Sequence, residues 1–285
     1  MSETVGIIGG SGFYAALTSG IESMAVATPF GAPSGPLSIG AVAGRRVVFL
    51  PRHGAEHTLL PSEVNARANI WALKSVGVSR LISVSAVGSL REHIAPGDFV
   101  LPRQYLDRTS GRPSTLFGSG VVAHVSLADP ICTELADHLE REARGTGATV
   151  HGGTYICVEG PQFSTRAESE LFRSWGADVI GMTNLPEARL AREAELCYAT
   201  LCLPTDFDCW RPRSEVDVID VLTVLRTNVE RARSLLVTAI GNLPAATCHC
   251  NTVLDTALVT PPEWISAEAR SRLAPILARR LGGSR

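Results

Sequence analysis

The chain reads as an α/β protein built on a central, mostly parallel mixed sheet flanked by helices. Three observations lead there. Apolar runs of strand length alternate with segments of helical period. Many of the apolar runs stop abruptly at glycine or polar clusters. No linker, internal repeat or low-complexity tract divides the 285 residues, so one domain over 1–285 is expected, with a helical C-terminal segment at about 262–283 packed on it.

In chain order, Val5–Ile8 is a short apolar run that feeds the turn Gly9-Gly10-Ser11-Gly12. The Gly/Pro-rich stretch 28–36 reads as a loop, and Val47–Pro51 as a strand that delivers Arg52-His53-Gly54. Val64, Ala68, Ile70, Trp71, Leu73 and Val76 recur at helical spacing, with Ser62 as the expected N-cap and Gly77 as the stop. Strands follow at Leu81–Val84, ending in Ser85-Ala86-Val87-Gly88-Ser89, and at Phe99–Leu101, then a helix over Asp129–Arg144. Gly153–Val158 reads as a strand ending at Glu159-Gly160-Pro161-Gln162-Phe163. Thr165-Arg166-Ala167-Glu168 has the capping-box pattern that opens a helix to about Trp175. Val179-Ile180 is a short strand before Gly181-Met182-Thr183, and Pro186 suits the first turn of a helix through Glu195. Leu196–Leu203 is a further strand, Val216–Ile240 a long helix, and Ser266–Leu281 a terminal helix with a kink expected at Pro275.

Composition narrows the function classes. Hydrophobic residues at 45 % and charged residues at 19 % describe a chain that buries a core, not a disordered one. A formal net charge of −2 lacks the basic excess of a protein that grips a nucleic-acid backbone. No run approaches the roughly 20 apolar residues that a membrane span needs. The N-terminus carries Glu3 where a signal peptide has basic residues, so the expectation is a cytoplasmic protein with no membrane partner.

The chemistry-bearing segments fall after strands, where open α/β sheets bind ligands. Gly10-Ser11-Gly12-Phe13-Tyr14-Ala15 fits the dinucleotide pattern G-x-G-x-x-A. No long helix follows it, and no acid stands about 20 residues on to hold a ribose, which argues against a nicotinamide cofactor. The same loop suits a single phosphate, through its backbone N–H groups and the Ser11 hydroxyl; otherwise it is only a tight turn. The Arg52 guanidinium fork matches an oxyanion bidentately, with His53 beside it. Ser85 and Thr183 add hydroxyls at two further strand ends, unless each is a local cap. In Thr205-Asp206-Phe207-Asp208, an extended backbone would aim both carboxylates to one side, to accept from an exocyclic amine and to protonate a ring nitrogen. The plainer alternative is a helix cap and a surface acid.

Seven cysteines occur, most in apolar runs, and read as buried free thiols. Cys248-His249-Cys250 is the exception. It has the look of half a zinc site, but no second C-x-x-C or H-x-x-x-H pair completes a tetrahedron, so no metal is expected. A local disulfide, or pairing with Cys197 or Cys202, is the alternative.

Taken together, these motifs resemble the 5′-methylthioadenosine phosphorylases, in the trimeric branch of the purine nucleoside phosphorylase superfamily. The matching segments include Gly6–Gly12, Thr28-Pro29-Phe30-Gly31, Arg52-His53-Gly54, Val64–Lys74, Ala86–Glu92, Glu159–Glu168, Trp175–Thr183, Pro186-Glu187 and Thr205–Trp210, and they span about residues 5–225. The resemblance implies phosphorolysis without a cofactor. Inorganic phosphate, a co-substrate, attacks C1′ and releases adenine and 5-methylthioribose 1-phosphate. It also implies roles: Ser11, Arg52, His53, Ser85 and Thr183 on phosphate; Asp206 and Asp208 as catalytic groups on the base; Ala86 and Phe163 packing the base; Met182 against the ribose. Val218, Val221 and Leu222 map to an apolar wall for the 5′ group, and His124 to a histidine from a neighbouring subunit, hence a homo-oligomer, a trimer or dimer of trimers. Thermophilic relatives carry an oxidisable C-x-C near the C-terminus, which makes a disulfide at Cys248 and Cys250 an implied option. The alternatives are a 6-oxopurine nucleoside phosphorylase acting on inosine or methylthioinosine, an NAD-dependent oxidoreductase, and a non-catalytic nucleoside binder.

Overall fold

Four parallel strands form the centre of the sheet, and their carboxyl ends point the same way. These are β1 (Thr4–Gly9), β4 (Arg45–Pro51), β5 (Val78–Ser89) and β11 (Cys197–Asp206), ordered β4-β1-β5-β11. The computed structural model describes residues 3–10, 22–211 and 216–282. The expected mostly parallel mixed sheet is present: eleven strands are joined, with β2 (Glu22–Met24) and β3 (Leu37–Val42) antiparallel on one edge. On the other side, β10 (Val179–Gly181) runs antiparallel to the end of β5, then β9 (Thr154–Val158) and β7 (Gln104–Arg108) pair parallel. β6 (Phe99–Val100) adds to β11 and β8 (Val150–His151) to β6.

β1 is buried along its whole length, as a central parallel strand covered on both faces must be. β5 is longer than the apolar run Leu81–Val84 suggests. It continues through Ser85, Val87 and Ser89 because β11 and β10 supply partners for that half.

Among the described residues the α-helices are α1 (Ala66–Ser75), α2 (Thr133–Gly145), α3 (Arg166–Ser174), α4 (Asn184–Glu193), α5 (Val218–Gly241), α6 (Leu254–Ala257), α7 (Ala267–Arg272) and α8 (Ala274–Leu277). The Ser62 N-cap is corrected: Asn65 caps α1, its Oδ1 accepting from Ala68 N at 3.2 Å, while 61–63 form a turn. The Thr165 capping box is present, Thr165 Oγ1 accepting from Glu168 N at 3.2 Å and Glu168 Oε2 from Thr165 N at 2.8 Å. The terminal helix is also corrected. Proline at 275 lacks an N–H and sits in the first turn of α8, so the chain breaks at Leu273 into two helices rather than kinking one.

The C-terminal segment shares the main core, burying Ile265, Ala269, Leu273, Ile276 and Leu277 with the strands. Trp71 Nε1 on α1 donates to Arg272 O at 2.9 Å. Of the two distant partners expected for Cys248-His249-Cys250, Cys197 is the one beside it, its Sγ 3.2 Å from Cys248 Sγ. Cys132 and Cys197 lie beside Cys248 and Cys250, with all four sulfurs within 4.8 Å of one another, whereas Cys202 is elsewhere on β11.

Thr165→Ala removes the acceptor for one of the orphan N–H groups of α3, at a cost of about 1 kcal/mol. Urea denaturation should show that loss, and Thr165→Ser should retain most of the wild-type stability.

Candidate functional site

The carboxyl ends of β1, β4, β5 and β11 open into a cavity of about 910 Å³, closed on one side by α5. That is at the upper end of ordinary ligand pockets, roughly 300–1,000 Å³. Arg52 and Asp206 both line it. Ser85 faces Cys202, while Asp206 faces Gly88 three residues further along β5. At about 3.3 Å per residue the hydroxyl end and the carboxylate end are separated by about 10 Å along the strand.

At the hydroxyl end, Ser85 Oγ and Thr183 Oγ1 lie 2.8 Å apart. Thr183 precedes α4 but makes no side-chain capping bond to it, so its hydroxyl is directed to Ser85 instead. Gly10, His53, His57 and Thr58 complete this end. Ser11 lies outside the described residues.

The expected bidentate grip of Arg52 on an anion is corrected. Its fork is taken by Glu187: Nε donates to Oε2 at 2.9 Å and Nη2 to Oε1 at 3.2 Å. Nη2 also donates to Ser83 Oγ at 2.7 Å, and Nη1 to Val84 O at 2.9 Å. Nη1 has two hydrogens and, among the described residues, that one acceptor. Both side chains are 3 % exposed, so Arg52 is a buried strut that leaves at most one N–H for a ligand. Sequence reasoning placed Glu187 in a family motif without a role. The signal available was the need of a buried arginine for a counter-charge. Tyr198 Oη donates to Glu187 Oε1 at 2.9 Å, extending the pair into a polar network.

His53 is buried, and its Nδ1 is 2.9 Å from Leu59 O. A carbonyl only accepts, so Nδ1 carries the hydrogen and Nε2 presents a lone pair. Burial, and then the Arg52 charge, push the imidazole down to about 4, so it is neutral near pH 7.

At the other end, the extended reading of 205–208 is corrected. Asp208 is left-handed, with φ 51°. The turn brings Asp208 N within 2.7 Å of Asp206 Oδ1, to which it donates, and Thr205 Oγ1 donates to Asp206 Oδ2 at 2.7 Å. Both aspartates nonetheless line the cavity. Burial raises the pKa of each above the ordinary carboxylate value, against the lowering effect of these hydrogen bonds on Asp206. Gly88 leaves the space opposite them: a Cβ there would stand 3.0 Å from Asp206 Oδ1 and from Ile180 Cγ2, so both would have to give.

The wall between the two ends is apolar. Val221 and Leu222 line it from α5, and Leu225 and Val229 continue the stripe at helical spacing. Val218 begins α5 but is 55 % exposed and outside the lining. Ala86, Phe163 and Met182 line the cavity; His124 does not. Leu59, Leu60 and Pro61 were missed, because nothing in a short polar-flanked loop signals that it folds over a site.

The family model of the Phosphorylase superfamily matches residues 4–241. A Geobacter sulfurreducens protein named S-methyl-5′-thioadenosine phosphorylase is 51 % identical over 282 residues, covering 97 % of this chain and 99 % of its own. One of the same name from Thermofilum pendens is 51 % identical over 259 residues, 90 % of this chain and 98 % of its own. Among solved structures, a methylthioadenosine phosphorylase from an antarctic soil metagenomic library superposes with TM-score 0.91 at 48 % identity, over 97 % of this chain and 99 % of its own. The Schistosoma mansoni methylthioadenosine phosphorylase in complex with tubercidin gives TM-score 0.80 at 41 % identity, over 84 % and 91 %.

Glu187→Gln leaves the buried Arg52 charge unpaired and should cost about 3–5 kcal/mol in chemical denaturation. In the fold His53 is pushed down to about 4, against 6.5 for an ordinary imidazole. Between those values the unfolded chain binds a proton that the fold refuses, so stability present above 6.5 is lost as pH falls toward 4. Melting temperatures across that window should fall more steeply for wild type than for His53→Gln.

Proposed function

The chain belongs to the phosphorylase superfamily, and from that premise we propose that it cleaves 5′-methylthioadenosine with inorganic phosphate, giving adenine and 5-methylthioribose 1-phosphate. One observation carries the reading. A single cavity bears hydroxyl donors at one end, two acids with raised pKa values at the other, and an apolar wall between them.

Phosphate sits against Ser85 and Thr183, with the remaining Arg52 Nη1 hydrogen as a further donor. His53 Nε2, neutral and unprotonated, accepts the P–OH of a protonated phosphate rather than adding positive charge. The phosphate oxygen attacks C1′ as the C1′–N9 bond breaks, and its charge offsets the oxocarbenium-like sugar. The bond's electron pair leaves with the purine, and Asp206 donates its proton to N7. Burial raises that carboxyl's pKa, which favours the protonated form the step needs.

Asp208 and Asp206 select the base. A carboxylate oxygen accepts from the 6-amino group of adenine but faces a second acceptor in a 6-keto purine. Ala86 and Phe163 pack the base and Met182 the ribose. Val221, Leu222 and Leu225 receive the methylthio group, a weaker filter, since an apolar pocket rejects an added hydroxyl by only about 10². The reading needs no cofactor. It includes a cytoplasmic homo-oligomer, a trimer or dimer of trimers, in which His124, outside its own chain's cavity, serves a neighbour's.

The test compares phosphate-dependent cleavage of methylthioadenosine, adenosine and inosine. Methylthioadenosine should have the highest kcat/KM and inosine the lowest; preference for inosine overturns the substrate assignment. Asp206→Asn should lose about 10²–10⁴ in kcat. Because the raised-pKa carboxyl contributes stability below its unfolded pKa that is lost as pH rises through the folded one, the same variant should be more heat-stable than wild type at neutral pH.

A further inference from the structure

We propose that Cys132, Cys197, Cys248 and Cys250 form a closed tetrathiolate site for one divalent ion of the zinc class, separate from the nucleoside cavity. Their four sulfurs lie within 4.8 Å of one another. With metal–sulfur bonds of about 2.3 Å, the sulfur–sulfur edge of a tetrahedron is about 3.8 Å, so small side-chain adjustments gather the four around one ion. None of these residues lines the cavity.

The ligands come from three parts of the fold. Cys132 is the N-cap of α2, Cys197 is the first residue of β11, and Cys248 and Cys250 follow α5. Three of the four are buried and Cys248 is partly buried, which leaves no open position for water or substrate. The surroundings favour thiolate. Leu135 N donates to Cys132 Sγ at 3.4 Å from the first turn of α2, where the helix dipole also stabilises negative charge. Arg192 Nη1 approaches Cys250 Sγ at 3.8 Å. His249 is exposed and is not among the clustered ligands.

Binding is a proton exchange without redox change: four Cys–SH and one M²⁺ give M(S–Cys)₄²⁻ and four protons. An all-sulfur tetrahedral set selects zinc over hard cations. Such an ion ties the segment that carries Leu254 and Ala257 into the core to the start of β11, whose other end holds Asp206. The competing arrangement is oxidative. Cys197 Sγ and Cys248 Sγ are 3.2 Å apart, close enough to move to the 2.0 Å of a disulfide, and Cys132 with Cys250 would then form a second.

The experiment measures metal in the full-length protein purified without chelator after expression in zinc-supplemented medium, alongside thiol titration after denaturation without reductant. About one zinc per chain is expected, with all seven cysteines titrating once a chelator is present. Cys132→Ser and Cys250→Ser should each lose at least nine-tenths of that metal, while Cys157→Ala, outside the cluster, keeps it. Cobalt(II) added to the apo protein should give the sulfur-to-metal charge-transfer absorption of a tetrahedral thiolate site. Chelation should lower the melting temperature of wild type and leave that of Cys250→Ser unchanged. A chain without zinc whose reduced form takes up neither zinc nor cobalt overturns the proposal. So does an unreduced chain in which only Cys157, Cys202 and Cys209 titrate, which would show two disulfides.

Discussion

The Arg52–Glu187 pair holds together the part of the molecule on which the cavity depends. Arg52 leaves the end of β4, bonds the carbonyl of Val84 and the hydroxyl of Ser83 on β5, and meets Glu187 on α4. One buried cation thereby locks a strand end, the neighbouring strand and a helix whose preceding residue is Thr183. Ser85 and Thr183 stand 2.8 Å apart because the elements beneath them are held this way. The arginine's charge is thereby neutralised inside the protein, and at most one of its N–H groups is left to face the cavity.

The opposite end of the cavity works by burial. Asp206 and Asp208 sit where water is scarce, and desolvation raises both of their pKa values. Two hydrogen bonds to Asp206 pull the other way, so the carboxyl is tuned by competing effects. Gly88 supplies the space for this arrangement, since any side chain there would press on Asp206 and Ile180. Burying two acids side by side costs fold stability, a usual exchange at functional sites.

The C-terminal part of the chain is secured differently. Packing of α7 and α8 on the core anchors its last helices, while four clustered sulfurs bring the segment before them beside α2 and β11. Both anchors lie outside the cavity lining, so what they contribute is the position of α5 and β11, which frame the site.

The order of strands and helices was legible in the sequence because apolar runs such as Val5–Ile8 and Val47–Pro51 are buried on both faces and carry their own signal. The site segments were legible for a related reason: strand ends terminate in glycine, hydroxyl and acid clusters that no core would tolerate. The strands at or next to the sheet's edges, β2, β3, β7 and β8, were missed, since part-exposed residues without clean alternation look like loop. The second half of β5 was missed because Ser85, Gly88 and Ser89 interrupt its apolar run and only pairing with β11 and β10 makes it a strand. Composition and motif order determined the fold class and the residue types at the site. Which atoms those residues spend on one another was decided in three dimensions, because Glu187 and the partners of Cys248 and Cys250 stand far from them in sequence. Hydrogen bonds, burial and ion pairing depend on distances that a linear pattern does not contain.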